Sequence, residues 1–237
     1  MRSPRTLRHL RALAAVLALS VVAAACSDET EDDPLGGDTT TTEERSSDDG
    51  GATDDGGSEG AEVEVPDGWQ VIEGDGVSIA VPDEWIDVPL EEFEMGSEDF
   101  QELMPEADEA MLNQAAQVVQ QGGVLLAFGP PVDDFTDNLN ILELPVRAEL
   151  DQLEREAQLG MDALGAEMRS LDRVELPAGD AIRVRYSAEF QSPEGPFTVE
   201  GVQFYIPVDG ATYVLTISTV ADPDDLADDM AASFEVA

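Results

Sequence analysis

Sorted into apolar and polar positions, the chain falls into three stretches. Ala12 to Ala25 is an unbroken 14-residue run of small and aliphatic side chains. Ser27 to Val65 has almost none, and from Pro66 onward apolar residues recur with the periods of strands and helices. Gly68 to Ile72 and Val77 to Val81 alternate around Glu73-Gly74-Asp75-Gly76, which predicts a β-hairpin closed by Pro82 and Trp85. Ala107, Met111, Ala115 and Val118 recur at three and four, predicting a helix from Glu106 to Gln121 that Gly122-Gly123 ends. Val124 to Phe128 is a continuous apolar run, the mark of a buried strand. A Pro/Asp loop from Pro130 to Asn138 leads to a further strand over Leu139 to Leu144.

A second helix is predicted with Pro145 at its entry and with Val146, Leu150, Leu153, Ala157, Met161 and Leu164 on one face. Four strands follow, Met168 to Leu176, Ala181 to Phe190, Phe197 to Ile206 and Ala211 to Val220. The turn chemistry between them is that of a meander: Pro177-Ala178-Gly179, Ser192-Pro193-Glu194-Gly195 and Pro207-Val208-Asp209-Gly210. Both alternating sets of the last strand hold apolar residues, so it belongs at the centre of a sheet covered on both faces. Pro223 to Ser233 reads as a helix with acids at its start, and Phe234 and Val236 pin the end of the chain. The order implies one α+β domain over 66–237, with a mainly antiparallel sheet of about six to eight strands flanked by helices.

Composition adds a location. Arg2, Arg5, Arg8 and Arg11 precede the apolar run, which ends at Ala23-Ala24-Ala25-Cys26. A basic start, a short apolar segment and a small-residue cleavage site make residues 1–25 a secretory signal, too short to span a bilayer comfortably. Cys26 is the chain's only cysteine. The site resembles the lipobox of bacterial lipoproteins, whose cysteine is acylated after cleavage; it departs in having Ala23 where leucine is usual. An uncleaved anchor helix and a secreted chain with an incidental cysteine are the alternatives. A diacylated Cys26 gives stable membrane attachment, because one acyl chain alone binds marginally. Residues 27–65 hold 15 acids and one arginine, a composition expected to stay disordered as a tether whose ends lie about 35 Å apart.

Charge and absences bound the chemistry. The chain carries 53 acidic and 11 basic residues and no lysine, a bias equally in keeping with a GC-rich genome and a saline habitat. Such a balance excludes nucleic acid as a partner, and it sets the domain against anionic headgroups. The single histidine, His9, lies in the signal. Ser-His-Asp, Cys-His and Schiff-base catalysis and His/Cys zinc sites are thereby removed from the mature chain. No catalytic residue, cofactor or metal is expected, although a carboxylate pair acting on cell-wall polymers remains an alternative. The acidic clusters Asp133-Asp134-x-x-Asp137-Asn138 and Asp222-x-Asp224-Asp225 with Asp228-Asp229 lack EF-hand spacing, and they read instead as a polar loop and as acids at a helix start.

Four of the domain's six arginines, Arg169, Arg173, Arg183 and Arg185, fall on one predicted hairpin. A three-residue turn at Pro177 to Gly179 pairs Val174 with Ile182 and sets Arg173 opposite Arg183, a like-charge pair that demands an anion. Glu175, Glu189 or a helix carboxylate supplies it in the structural reading; an anionic ligand or partner supplies it in the functional one.

The Gly68-Trp69 hairpin with Pro82-x-x-Trp85, the Gly210-Ala211-Thr212-Tyr213-Val214-Leu215-Thr216 strand and the closing Ala232-Ser233-Phe234 resemble the PsbP-like α/β/α sandwich, in particular actinobacterial LpqN-type lipoproteins. The resemblance covers the domain and implies its architecture and an envelope location, with a non-enzymatic accessory or binding role. The chain is expected on the extracytoplasmic side of the cell membrane, attached through Cys26. There it would be a monomer that meets an unidentified envelope protein or small molecule, or a purely structural envelope protein.

Overall fold

The computed structural model describes residues 65–90, 109–132, 135–192, 195–208 and 210–237. The signal, Cys26 and the acidic stretch lie outside the described residues, as do Asp133 and Asp134. Strands β1 (Trp69–Gly74) and β2 (Val77–Pro82) form the expected hairpin, and β10 (Glu235–Val236) pairs with β2 to make a three-stranded sheet. The main sheet has seven strands in the order β3-β4-β5-β9-β8-β7-β6, every neighbouring pair antiparallel. Its members are β3 (Ile86–Asp87), β4 (Gly123–Val132), β5 (Phe135–Leu144), β6 (Glu167–Leu176), β7 (Gly179–Ser192), β8 (Gly195–Val208) and β9 (Ala211–Thr219). Three helices are seen among the described residues: α1 (Glu109–Gln120), α2 (Leu150–Leu164) and α3 (Asp224–Ala232).

Two apolar layers hold the main sheet between its covers. On one face the small sheet and α3 bury Ile79, Val81, Trp85, Leu139, Phe204, Leu215 and Met230 in a single core. On the other, Leu153, Ala157 and Met161 of α2 pack on Ile182, Val184, Tyr186, Tyr205 and Val214. All nine residues of β9 are buried, as expected of a central strand covered on both faces. The architecture is α+β, a mainly antiparallel sheet flanked by helices.

Three expectations are corrected. The stretch from Pro130 to Asn138 is not a loop, because β4 continues to Val132 and β5 begins at Phe135, with a register irregularity between Phe128 and Pro131. Pro130 and Pro131 fit a strand because β3 pairs only with Ala127 and Phe128, so beyond Phe128 one side of β4 has no β3 partner to miss the absent N–H groups. Helix α2 starts at Leu150 rather than Pro145, and Val146 is 66% exposed. Buried Thr212 fixes the preceding bend, accepting from Ala148 N at 3.1 Å and donating to Val146 O at 2.9 Å. Helix α1 is described from Glu109, and Gly122 stops it with φ 81°; residues 106–108 lie outside the described residues. Finally, the β6–β7 turn has two residues, Pro177 and Ala178, since Leu176 pairs with Gly179 at φ 129°. That one-residue difference pairs Val174 with Ala181 and sets Arg183 opposite Asp172, so Arg173 and Arg183 do not face one another.

Candidate functional site

The corrected register sends the four arginines to different places. Arg173, opposite Ile182, reaches α2: its Nε donates to Glu154 Oε1 at 2.7 Å and its Nη2 bonds Asp151. The hydrogen bond from Arg173 holds the Glu154 carboxyl below the usual range. Arg183 and Arg185, on the opposite face of β7, meet the start of α3. Arg183 lies 3.3 Å from Asp224 and, through Nε, 3.0 Å from Asp228, an ion pair without hydrogen-bond alignment. Its guanidinium also stands 5.9 Å from the Phe204 ring centroid. Arg185 pairs with Asp224 and lies 3.6 Å from Asp222. Arg169, where β6 shifts register, donates to Glu200 at 2.8 Å. The counter-ions are thus mainly helix carboxylates, on α2 and at the head of α3, rather than Glu175 or Glu189. Asp222, Asp224 and Asp228 of the second acidic cluster are the arginines' partners, and desolvation raises the Asp228 carboxyl despite Arg183 beside it.

Two more carboxyls are perturbed. Burial raises Asp87 and Asp137, each opposed by one backbone hydrogen bond, from Val88 and Val220 respectively. Asp137 Oδ1 is buried without a partner. They sit on β3 and β5 with β4 between, so two strand spacings, about 10 Å, separate their strands. Among the described residues no group of three or more acidic, His or Cys side chains is placed to hold a metal. An open cavity of about 400 Å³ lies beside the entry to α2, between Arg147, Glu149, Asp180 and Pro207.

The arrangement that sequence reading missed is on the α2 face of the main sheet. Register aligns Tyr186, Gly201, Ser218 and Asn138 in one row across β7, β8, β9 and β5; Val184, Gln203, Thr216 and Asn140 form the next. The side chains of Asn138, Asn140, Gln203, Thr216 and Ser218 are all buried. In the second row Gln203 Nε2 donates to Thr216 Oγ1 at 2.9 Å, and the Tyr205 hydroxyl donates to Gln203 Oε1 at 2.6 Å. In the first row the Tyr186 ring occupies the room a side chain at position 201 would take: a Cβ there would stand 2.2 Å from Tyr186 Cζ. Desolvation pushes the Tyr186 hydroxyl up to about 12, tempered by Ser218. Ser218 Oγ, buried in the same row, is the neighbour of that hydroxyl. Desolvation also raises Tyr205. A usable signal existed in the sequence: polar residues at every second position of strands otherwise built for burial.

No family model matches the chain, and no curated protein does. Among solved structures the chain is similar to cyanobacterial PsbP (CyanoP) from Synechocystis, at 15% identity and TM-score 0.45, over 72% of this chain and 93% of that one. It is similar to LpqN of Mycobacterium tuberculosis, a protein described as involved in cell envelope biogenesis, at 14% identity and TM-score 0.40, over 68% of this chain and 82% of that one. A Bacteroides thetaiotaomicron protein is similar at 14% identity and TM-score 0.40 over 71% of this chain, which spans about half of that protein's length at 48%. At such identities residue roles do not transfer.

Proposed function

We propose that this protein is a cell-envelope lipoprotein, attached through Cys26 to the extracytoplasmic side of the membrane, whose domain serves as a non-catalytic binding or accessory module. The observation that carries this reading is the run from Ala12 to Ala25, headed by four arginines and ended by the chain's only cysteine. Acyl chains on Cys26 hold the protein at the bilayer, and the acidic stretch of residues 27–65 keeps the domain off anionic headgroups. The domain, residues 66–237, contains no His, Lys or Cys that would serve nucleophilic or acid–base catalysis. Replacing Cys26 with Ser is expected to move the protein from the membrane fraction to the medium and to abolish incorporation of labelled fatty acid. A Cys26→Ser protein that stays in the membrane fraction overturns the anchor.

A further inference from the structure

We infer that the open cavity beside the entry to α2 binds a small zwitterion, a ligand with both an ammonium and a carboxylate, as a short peptide with free ends has; the inference rests on the proposed binding role and names its ligand class. The cavity holds about 400 Å³, within the range of roughly 300–1,000 Å³ typical of small-molecule sites. It lies where three connections meet at one end of the main sheet: the entry to α2, the β6–β7 turn and the last residues of β8. Connections held on a rigid sheet are the usual place for a binding site.

The first support is how firmly one wall is held. The buried Thr212 hydroxyl ties down both chain neighbours of Arg147, accepting from Ala148 N and donating to Val146 O. Thr212 is itself paired within the sheet, with Leu144 on one side and Pro207 on the other. Arg147 therefore lines the cavity from a backbone already fixed, which reduces the ordering that a ligand has to impose.

The second support is the pattern of charge. Arg147 and Glu149 line the cavity on the α2 side, and Asp180 lines it on the side of the β6–β7 turn. Neither carboxylate has an ion pair or a side-chain hydrogen bond among the described residues, and Glu149 stands at the start of α2 without capping it. The two offer acceptors to an ammonium group. Arg147 is already engaged, but a guanidinium has five N–H donors and still takes a carboxylate. A simple anion meets both carboxylates and the field of a chain with 53 acidic and 11 basic residues. A simple cation meets Arg147. A zwitterion matches both signs at once, and Leu150, Pro207 and Val208 add aliphatic surface for the body of the ligand.

The test is isothermal titration calorimetry of the full chain in detergent micelles with L-alanyl-L-alanine, its N-acetyl form and its C-terminal amide. Acetylation removes the ammonium and amidation removes the carboxylate, so each blocked form keeps one charge. Saturable binding is expected for the unblocked dipeptide, with both blocked forms at least about ten-fold weaker. Arg147→Gln, and separately Glu149→Gln combined with Asp180→Asn, are each expected to weaken it about ten-fold or more. Both variants are expected to melt within about 2 °C of the parent, because the three side chains are exposed. Absence of saturable binding by the unblocked dipeptide overturns the site. A blocked form that binds as tightly, or binding left unchanged by either variant, overturns it too. Membrane release by Cys26→Ser is read separately, so the anchor and the ligand class fail independently.

Discussion

Replacing Arg183 with Gln tests whether the arginines of β7 serve the fold. The Arg183 side chain is 14% exposed, and its partners Asp224 and Asp228 are 27% and 54% exposed. Breaking a fully buried pair costs about 3–5 kcal/mol because the remaining charge is stranded; an exposed pair contributes roughly 0–1. Exposure between those limits gives about 2 kcal/mol, to which losing the Phe204 contact adds ~0.5. For a domain of this size that is a fall in Tm of about 5–10 °C. The assay is thermal unfolding of the full chain followed by near-UV circular dichroism, at low salt and at high salt, beside Arg173→Gln as the solvent-exposed comparison. The Arg173 effect is expected to be small and to fade with salt, whereas the Arg183 effect persists because its pairs are partly shielded. A Tm for Arg183→Gln as high as that of Arg173→Gln would refute the reasoning, and weakened binding of an anionic ligand at unchanged Tm would make Arg183 a recognition residue.

Asp137→Asn is expected to raise stability at neutral pH, since burial disfavours the charged carboxyl while an amide oxygen still accepts from Val220. The folded pKa lies above the unfolded one, so the wild type regains its deficit as the pH falls, and the two melting temperatures converge below about pH 4; a constant difference from pH 7 to pH 3 excludes this carboxyl as the cause. Gly201→Ala places a Cβ 2.2 Å from the Tyr186 ring, which is 1% exposed, and is expected to cost about 3 kcal/mol in urea unfolding. A loss below ~1 kcal/mol there shows that Tyr186 repacks easily.

How much of this molecule was legible in its sequence follows from the range over which each feature is decided. Strand positions, the Gly122 stop, the Leu153-Ala157-Met161 seam of α2 and the burial of β9 on both faces are set by neighbours within a few residues, and periodicity reports them directly. The proposed address signal is local as well, since an apolar run, a cysteine and an acidic stretch are read from composition alone. One miscounted turn residue at Pro177-Ala178 was enough to reverse the pairing of Arg173 and Arg183, because a strand's side chains change face with every residue.

What the sequence left open is which strand stands beside which. Alternation puts Asn140, Thr216 and Ser218 on strands, whereas Asn138 reads as the end of a loop from Pro130. Only the insertion of β9 between β5 and β8 makes them neighbours with Gln203 across up to 80 positions of chain. The same holds for the acids of α2 and α3 that hold the arginines, which come from helices on opposite faces of the sheet. Strand order is settled by how the whole chain buries its apolar faces with all backbone groups bonded, a global minimum with no local signature. The chain's own residues therefore determined most of its elements, and tertiary packing alone decided the buried polar rows and the ion pairs.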